Sequence, residues 1–188
     1  MKRLLSIELI PKTAWYQNVR STVPRDVWLE IRVLHLKGQC QYCGTKHSLN
    51  LHEVWKWDDV RHVQSLAGFE TVCFLCHNIK HLGLGGILVE QGVISRQELV
   101  KQYCWVNDCT AKNFEHDAME AMRVWEERSK YQWILDMSYL KTVMDRLEAY
   151  YAWMTANPEE VEKIRKKLEG LHEEVDRALV GDTTTLLG

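Results

Sequence analysis

Four cysteines in two C-x2-C pairs are the residues of this 188-residue chain that are best suited to hold a metal ion. Cys40 and Cys43 form the first pair, and Cys73 and Cys76 form the second. Thiolates at this spacing are typical of structural zinc sites, in which four ligands close a tetrahedron around the ion. The two pairs therefore predict a structural Zn2+ ion that stabilises a small module.

Three histidines accompany the cysteines. His77 follows the second pair directly, His81 comes four residues later, and His52 lies between the pairs. If a helix begins at the second pair, His77 and His81 share one of its faces. Three imidazoles leave coordination positions open, which is what a reactive metal site requires. We expect a second metal ion here, although His77 and His81 could instead support the zinc ligands or bind phosphate directly.

This pattern resembles the HNH endonucleases of the ββα-metal class. The resemblance is specific from Gln39 to Leu82, where a C-x2-C pair, a strand with His-Glu-Val-Trp and the run C-x2-C-H-x2-K-H follow one another. The flanking segments 15–20, 125–129 and 133–136 are similar to those of bacterial and phage proteins in this group.

The resemblance implies an α+β fold, mostly α-helical, in which a ββα-metal (HNH) module is stapled by the four-cysteine zinc site. It also implies hydrolysis of DNA phosphodiester bonds with a divalent metal such as Mg2+, Mn2+, Ni2+ or Zn2+. In that role His52 is the metal ligand on the strand, and His77 and His81 are the ligands on the helix. Lys80, between the helix histidines, is then a candidate DNA contact.

Two positions depart from the HNH pattern. Glu53 stands where the family has the histidine that deprotonates the attacking water, and residues 66–70 contain no counterpart of the central asparagine. A carboxylate beside a metal can accept that proton, so Glu53 is one candidate base. The alternative is that His52 is the base and that Asp58 or Asp59 completes the metal site. A catalytically degenerate zinc-binding module that contacts DNA or protein, such as a phage-encoded inhibitor or assembly factor, is the second functional hypothesis.

The charge distribution permits a local DNA-binding surface. The formal net charge is only −2, but Lys and Arg outnumber Asp and Glu in residues 1–62, whereas the acids dominate residues 101–188. A basic half can face DNA without a high overall pI. The expected DNA contacts are Arg20, Arg25, Lys56, Arg61 and Lys80.

Four segments are expected to position these residues. Residues 1–38 form an N-terminal arm, with a short strand or extended stretch at 4–10, and a helix from Pro24 to Gly38. Residues 39–94 form the HNH-like module: a strand at 49–57, a loop with a short helical stretch at 58–72, the metal helix at 73–82, and a flexible loop at Gly83–Gly86. Residues 95–156 are helical, beginning with a capping box at Ser95 and Glu98.

Residues 157–188 are expected to form an amphipathic helix and a tail. Apolar residues recur from Val161 to Ala178 in alternating steps of three and four. This seam predicts either a homodimer through the helix or packing along an earlier helix.

The expected location is the cytoplasm of a bacterial or phage-infected cell. The N-terminus has no apolar region long enough for a signal peptide, and no stretch approaches the roughly 20 apolar residues of a membrane span. Free thiolates that bind zinc also fit a reducing compartment. We therefore expect no membrane partner. The partner that the resemblance implies is DNA.

Overall fold

The computed structural model describes residues 3–163 and Lys166, which form the predicted α+β architecture. In chain order the elements are a 3-10 helix (Lys12–Ala14), α1 (Val19–Thr22), α2 (Arg25–His35), β1 (Leu49–Asp58), β2 (Val63–Cys73), α3 (Phe74–Lys80), α4 (Leu82–Glu90), α5 (Arg96–Asn107), α6 (Ala111–Arg128), β3 (Ile134–Asp136) and α7 (Tyr139–Ala156). The chain divides into two compact units, Met1–Lys141 and Thr142–Gly188. Among the described helices, none combines the length and the hydrophobicity needed to cross a bilayer.

The N-terminal segment is an extended arm that ties distant helices together. The Leu5 N–H donates to Asn107 Oδ1 at 2.9 Å, and Asn107 Nδ2 donates back to the Leu5 carbonyl at 2.9 Å. Further along, the Glu8 N–H donates to the Lys80 carbonyl at 2.7 Å. The arm therefore delivers Glu8 to the C-terminal end of α3.

Helix α2 begins at Arg25, directly after Pro24, as predicted. Proline is favourable at this point because the missing N–H would have no partner in the first turn. The helix ends at His35, earlier than the predicted end at Gly38.

Strands β1 and β2 form an antiparallel hairpin, and the sheet order is β1-β2-β3. His52 on β1 pairs with Glu70 on β2, so their side chains share one face. The prediction of a loop with a short helix at 58–72 is wrong, because β2 occupies Val63–Cys73. The glycine that suggested a break, Gly68, lies beside a register shift in the hairpin and has φ of 153°, which favours glycine.

Helix α4 replaces the predicted glycine loop. Gly83, Gly85 and Gly86 lie within its helical span, Leu82–Glu90. At Gly85 an added Cβ would lie 2.6 Å from the Asn78 carbonyl oxygen, so glycine allows the close approach of α4 to α3. Gly85 is thus used for packing between helices, and the expected flexible loop is absent from this described segment.

Helices α5 and α6 follow the predicted helical pattern. Ser95 and Glu98 form the capping box that starts α5, and the Ser95 hydroxyl accepts from the Glu98 N–H at 3.1 Å. The helical prediction for residues 95–156 misses β3, which pairs in parallel with the start of β2. Three residues are too few for a strand pattern to be visible in the sequence.

One hydrophobic core supports the cysteines. The fully buried side chains around them come from the arm, β2, α3, α5 and α6: Leu5, Val72, Ile79, Leu99, Tyr103 and Phe114. Cys40, Cys73 and Cys76 belong to this same cluster. The elements that carry the candidate metal ligands are therefore packed together and held by apolar burial.

The second unit contains most of α7, which begins at Tyr139 beside the predicted start at Ser138. Val143 and Leu147 are its buried residues. Most of the apolar seam predicted for residues 157–188 lies outside the described residues, and so does the homodimer contact proposed for it.

Candidate metal centres

The four thiols of the two C-x2-C pairs converge. Their sulfur atoms all lie within 4.8 Å of one another, and Cys43 Sγ is 3.5 Å from Cys73 Sγ. With Zn–S bonds near 2.3 Å, a tetrahedral site has sulfur–sulfur edges of about 3.8 Å. The described residues therefore contain a four-cysteine group that could hold a metal ion, and its size fits zinc.

Two local structures present these thiols. In the first, Gly44 has φ of 73°, which turns the chain back so that the Thr45 carbonyl accepts from the Cys40 N–H at 2.8 Å. In the second, Cys73 is the N-cap of α3 and Cys76 lies in its first turn. The cluster therefore fastens the loop before β1 to the start of α3.

The surroundings of the thiols favour one thiolate in the absence of metal. The hydrogen bond from Cys76 lowers the pKa of Cys73 to about 5. The same contact raises the pKa of Cys76, and burial raises that of Cys43 to about 11. Gln102 Nε2 donates to Cys76 Sγ at 3.3 Å, and this hydrogen bond opposes the rise in the pKa of Cys76. A divalent cation would let the remaining thiols ionise together.

A second group consists of the three predicted histidines. The ligand nitrogens of His52, His77 and His81 all lie within 4.8 Å of one another. Strand β1 supplies His52, α3 supplies His77, and His81 follows α3 as its C-cap. The ring centroids of His52 and His81 are 4.8 Å apart, and those of His77 and His81 are 4.9 Å apart.

His52 has the features of a ligand. It is 2% exposed, and neither of its ring nitrogens has a hydrogen-bond partner among the described residues. Buried polar atoms normally find a partner, because leaving one unpaired costs free energy. A metal ion bound between the rings would satisfy one of these nitrogens, so the residues present fit such an ion.

The helix histidines are held in the neutral form that binds metals. Burial, together with the charges of His52 and Lys80, lowers the pKa of His77 to about 4. Burial and the two neighbouring imidazoles lower the pKa of His81 to about 3. Near neutral pH both rings therefore keep a lone pair available for a cation.

A buried ionic network lies beside His52. The Lys80 ammonium contacts Glu8 Oε1 and Glu70 Oε1, each at 2.8 Å, and donates to the Tyr42 hydroxyl at 3.1 Å. Carboxylate oxygens of Glu8 and Glu70 lie 3.7 and 3.8 Å from His52 Nε2. Burial raises the pKa of Glu8, but His52 and Lys80 outweigh it and lower that pKa to about 2. The network places negative charge against a candidate metal ligand, as carboxylates often do.

Lys80, one of the predicted DNA contacts, lies in surroundings that the sequence analysis did not anticipate. It is 2% exposed, and two carboxylates and a phenol surround its ammonium group. A phosphate could reach it only if the network were dismantled, so Lys80 supports the fold beside His52. The sequence showed a lysine between two histidines of one helix, but it did not show that the arm brings Glu8 to it.

Glu53 is the next residue of β1 after His52. Its Oε1 accepts a hydrogen bond from the Arg20 N–H at 3.3 Å, which links the strand to α1. Burial raises the pKa of Glu53 above its usual value, so the carboxylate binds a proton more readily than an exposed one. Asp58 and Asp59, the alternative metal ligands, lie at the far end of β1 and pair with Arg61 and Arg128. They are not part of the histidine group.

The histidines open into a cleft of about 790 Å³. Its wall includes the predicted contacts Arg20 and Arg25, and also Arg32, which the sequence analysis did not single out. Lys56 and Arg61 are exposed but do not line this cleft. A spacing of seven residues on one helix was the clue in the sequence that Arg25 and Arg32 share a face.

No family model, curated protein or solved structure matches this chain. The hairpin followed directly by α3 has the element order of a ββα unit. Its assignment to the HNH class remains a prediction.

Proposed function

We propose that the chain is a metal-dependent phosphodiesterase that cuts nucleic acid in the manner of the HNH endonucleases. The observation that carries this proposal is the convergence of three imidazoles, one of them buried with no hydrogen bond to either nitrogen among the described residues, on a cleft lined by three arginines. A divalent cation bound by His52, His77 and His81 would supply Lewis-acid stabilisation of the charge that develops on the phosphate.

The residues of the chain have distinct roles in this proposal. Arg20, Arg25 and Arg32 bind the phosphates of the strand and hold the scissile one over the histidines. Water attacks in line, forming a bond to phosphorus while the bond to the 3′ oxygen breaks. Glu53 accepts the proton of the attacking water, and the 3′ oxygen takes a proton from solvent.

The test is cleavage of plasmid DNA and of single-stranded circular DNA with Mg2+, Mn2+, Ni2+ or Zn2+ added in turn. We expect cleavage with at least one of these ions, and a loss of several orders of magnitude in His77→Ala. His116→Ala is the matched control, because His116 is exposed on α6 and should be dispensable. Glu53→Gln should slow cleavage by about 10²–10⁴-fold if Glu53 is the base. If Glu53→Gln is active and His52→Ala is inactive with metal bound, the base is His52.

The four-cysteine group is proposed to bind one structural Zn2+ ion per chain. Elemental analysis of purified protein should find one zinc ion per chain. Cys76→Ser should abolish zinc binding and unfold the module. Cys104→Ser is the control, because Cys104 lies outside the four-cysteine group and should leave the zinc content unchanged. Protein that contains no zinc, or a Cys76→Ser variant with unchanged thermal stability, would contradict this proposal.

A non-catalytic interaction module is the second candidate. Helix α2 favours it, because Leu29 and Val33 on the helix and Leu36 directly after it are exposed. Apolar side chains grouped on a surface can mark a protein contact. Absence of cleavage with every metal tested would select this candidate over the nuclease.

A further inference from the structure

The cleft above the histidines is lined by aromatic side chains as well as by arginines. Trp15, Trp28 and Trp55 all contribute to it. Trp15 donates from Nε1 to the Ile10 carbonyl at 2.9 Å, yet 59% of its surface is exposed. An indole that is fixed at one edge and open to solvent is ready to pack against another ring at little entropic cost.

Helix α2 presents cations and an aromatic ring on one face. Arg25, Trp28 and Arg32 are spaced at i, i+3 and i+7, and all three line the cleft. The Trp28 ring is braced from behind by Phe69, with 6.3 Å between centroids. The order along this face is therefore cation, aromatic, cation.

The arginines of the cleft are available for an anion. Within the described part of the chain, Arg20, Arg25 and Arg32 form no ion pair. The carboxylate that lines the same cleft, Glu53, accepts from the backbone N–H of Arg20 and is not paired with a guanidinium. The wall thus carries three guanidinium groups and one carboxylate, and no described acid forms an ion pair with the guanidinium groups.

We propose that this cleft binds a nucleic-acid strand whose bases are unpaired. Grooves for single strands combine cations that follow the phosphates with aromatic rings on which the bases stack. A duplex keeps its bases stacked inside and offers no base face to Trp15 or Trp28. Resting on the phosphodiesterase proposed above, this inference names the substrate class: a single strand, or an unpaired segment, laid from α2 across to the histidines.

Binding of a fluorescent 12-nucleotide strand, measured by anisotropy, tests the inference. The protein is the His77→Ala variant without added divalent metal, so that the strand is not cut. DNA and RNA strands form separate arms, and each is compared with its own blunt duplex. We expect the single strand to bind more tightly than the duplex in at least one arm. The arm with the tighter single-strand binding shows whether the cleft prefers DNA or RNA.

Two further substitutions assign the contact to the cleft. Adding Trp15→Ala should weaken single-strand binding about 5- to 150-fold, the range for loss of one stacked base. The matched control is Trp105→Ala, because Trp105 is 66% exposed on α5 and does not line the cleft. Adding Arg25→Gln should reduce the slope of log affinity against log salt by about 0.7. Arg123→Gln on α6 is its control.

Equal or tighter binding of the duplex in both arms would overturn the inference, as would full affinity in Trp15→Ala. These results are separable from the fate of the proposed activity. Cleavage of plasmid without single-strand preference removes only this inference. Single-strand binding without cleavage by any metal leaves this inference standing and removes the enzyme.

Discussion

His52 owes its position to residues far apart in the sequence. Glu8 from the arm and Glu70 from β2 both lie against its Nε2, and Lys80 holds the two carboxylates together. The Lys80 side chain is 3% exposed, and its partners Glu70 and Glu8 are 14% and 34% exposed. Removing one member would leave a charge without its partner in a partly buried place, which is costly. The network therefore places two carboxylates beside the imidazole and is also a sensitive point of the fold.

Removing the cation of this network should destabilise the protein. Lys80→Met keeps most of the side-chain volume but leaves two carboxylates facing each other, which should lower the free energy of unfolding by roughly 3–5 kcal/mol. Equilibrium unfolding in urea measures this free energy. Lys130→Met removes an exposed lysine paired with Glu127 and should leave the midpoint unchanged. If both variants unfold at the wild-type urea concentration, the network has no such role.

Acid should destabilise the protein through His77 and His81. Their pKa values of about 4 and 3 lie below the usual value near 6.5, so the unfolded chain binds protons that the folded chain does not. The free energy of unfolding should therefore fall as the pH falls from 6.5 toward 4. The double variant His77→Gln/His81→Gln should lose this part of the pH dependence. NMR titration of the two rings should show no protonation at about pH 5.5, and midpoints near the usual 6.5 would refute the prediction.

At the scale of elements, α3 is the part that joins the two clusters. It carries Cys76 in its first turn and His77 immediately after it, and it ends beside His81. A metal on the thiols would fix the start of this helix and so fix the histidines relative to β1. A metal ion bound by the cysteines at the start of α3 would thus help to position the histidines toward its end.

The contact between α3 and α4 can be tested with two adjacent glycines. Gly85→Ala would place a Cβ 2.6 Å from the Asn78 carbonyl, and forcing the helices apart should cost roughly 1–3 kcal/mol. Gly86→Ala meets nothing within 4 Å and replaces a poor helix former, so it should stabilise α4 by about 1 kcal/mol. The melting temperature should therefore fall in Gly85→Ala and rise in Gly86→Ala. Shifts of the same sign in the two variants would contradict the packing described.

The spacing of cysteines and histidines was enough to predict which residues come together, because ligands of one metal must share a small volume. The strand β2 was not predicted, since Gly68 interrupts its pattern where the hairpin register shifts. The surroundings of Lys80 were not predicted for a different reason. Its partner Glu8 is 72 residues away, and only the path of the arm brings the two together.

At the scale of the whole molecule, the first unit combines a four-cysteine cluster, a histidine cluster and a cationic, aromatic cleft. The clusters share α3, and the cleft ends on the histidines. In the proposed function this arrangement would separate stabilisation from chemistry, with four thiols closing one set of ligands and three imidazoles leaving room for substrate on the other. Function should therefore depend on a second metal ion, bound after the first.

Metal occupancy and cleavage rate, measured on the same samples, test that claim most directly. Protein with one zinc per chain is titrated with Mn2+ or Ni2+, and single-turnover cleavage is followed at each point. We predict no cleavage by protein that holds only its one zinc ion, and a cleavage rate that rises as a second metal ion binds to each chain. The His81→Ala variant should keep its zinc but gain neither the second ion nor activity. Full activity with one zinc per chain, or an active His81→Ala, would contradict the account.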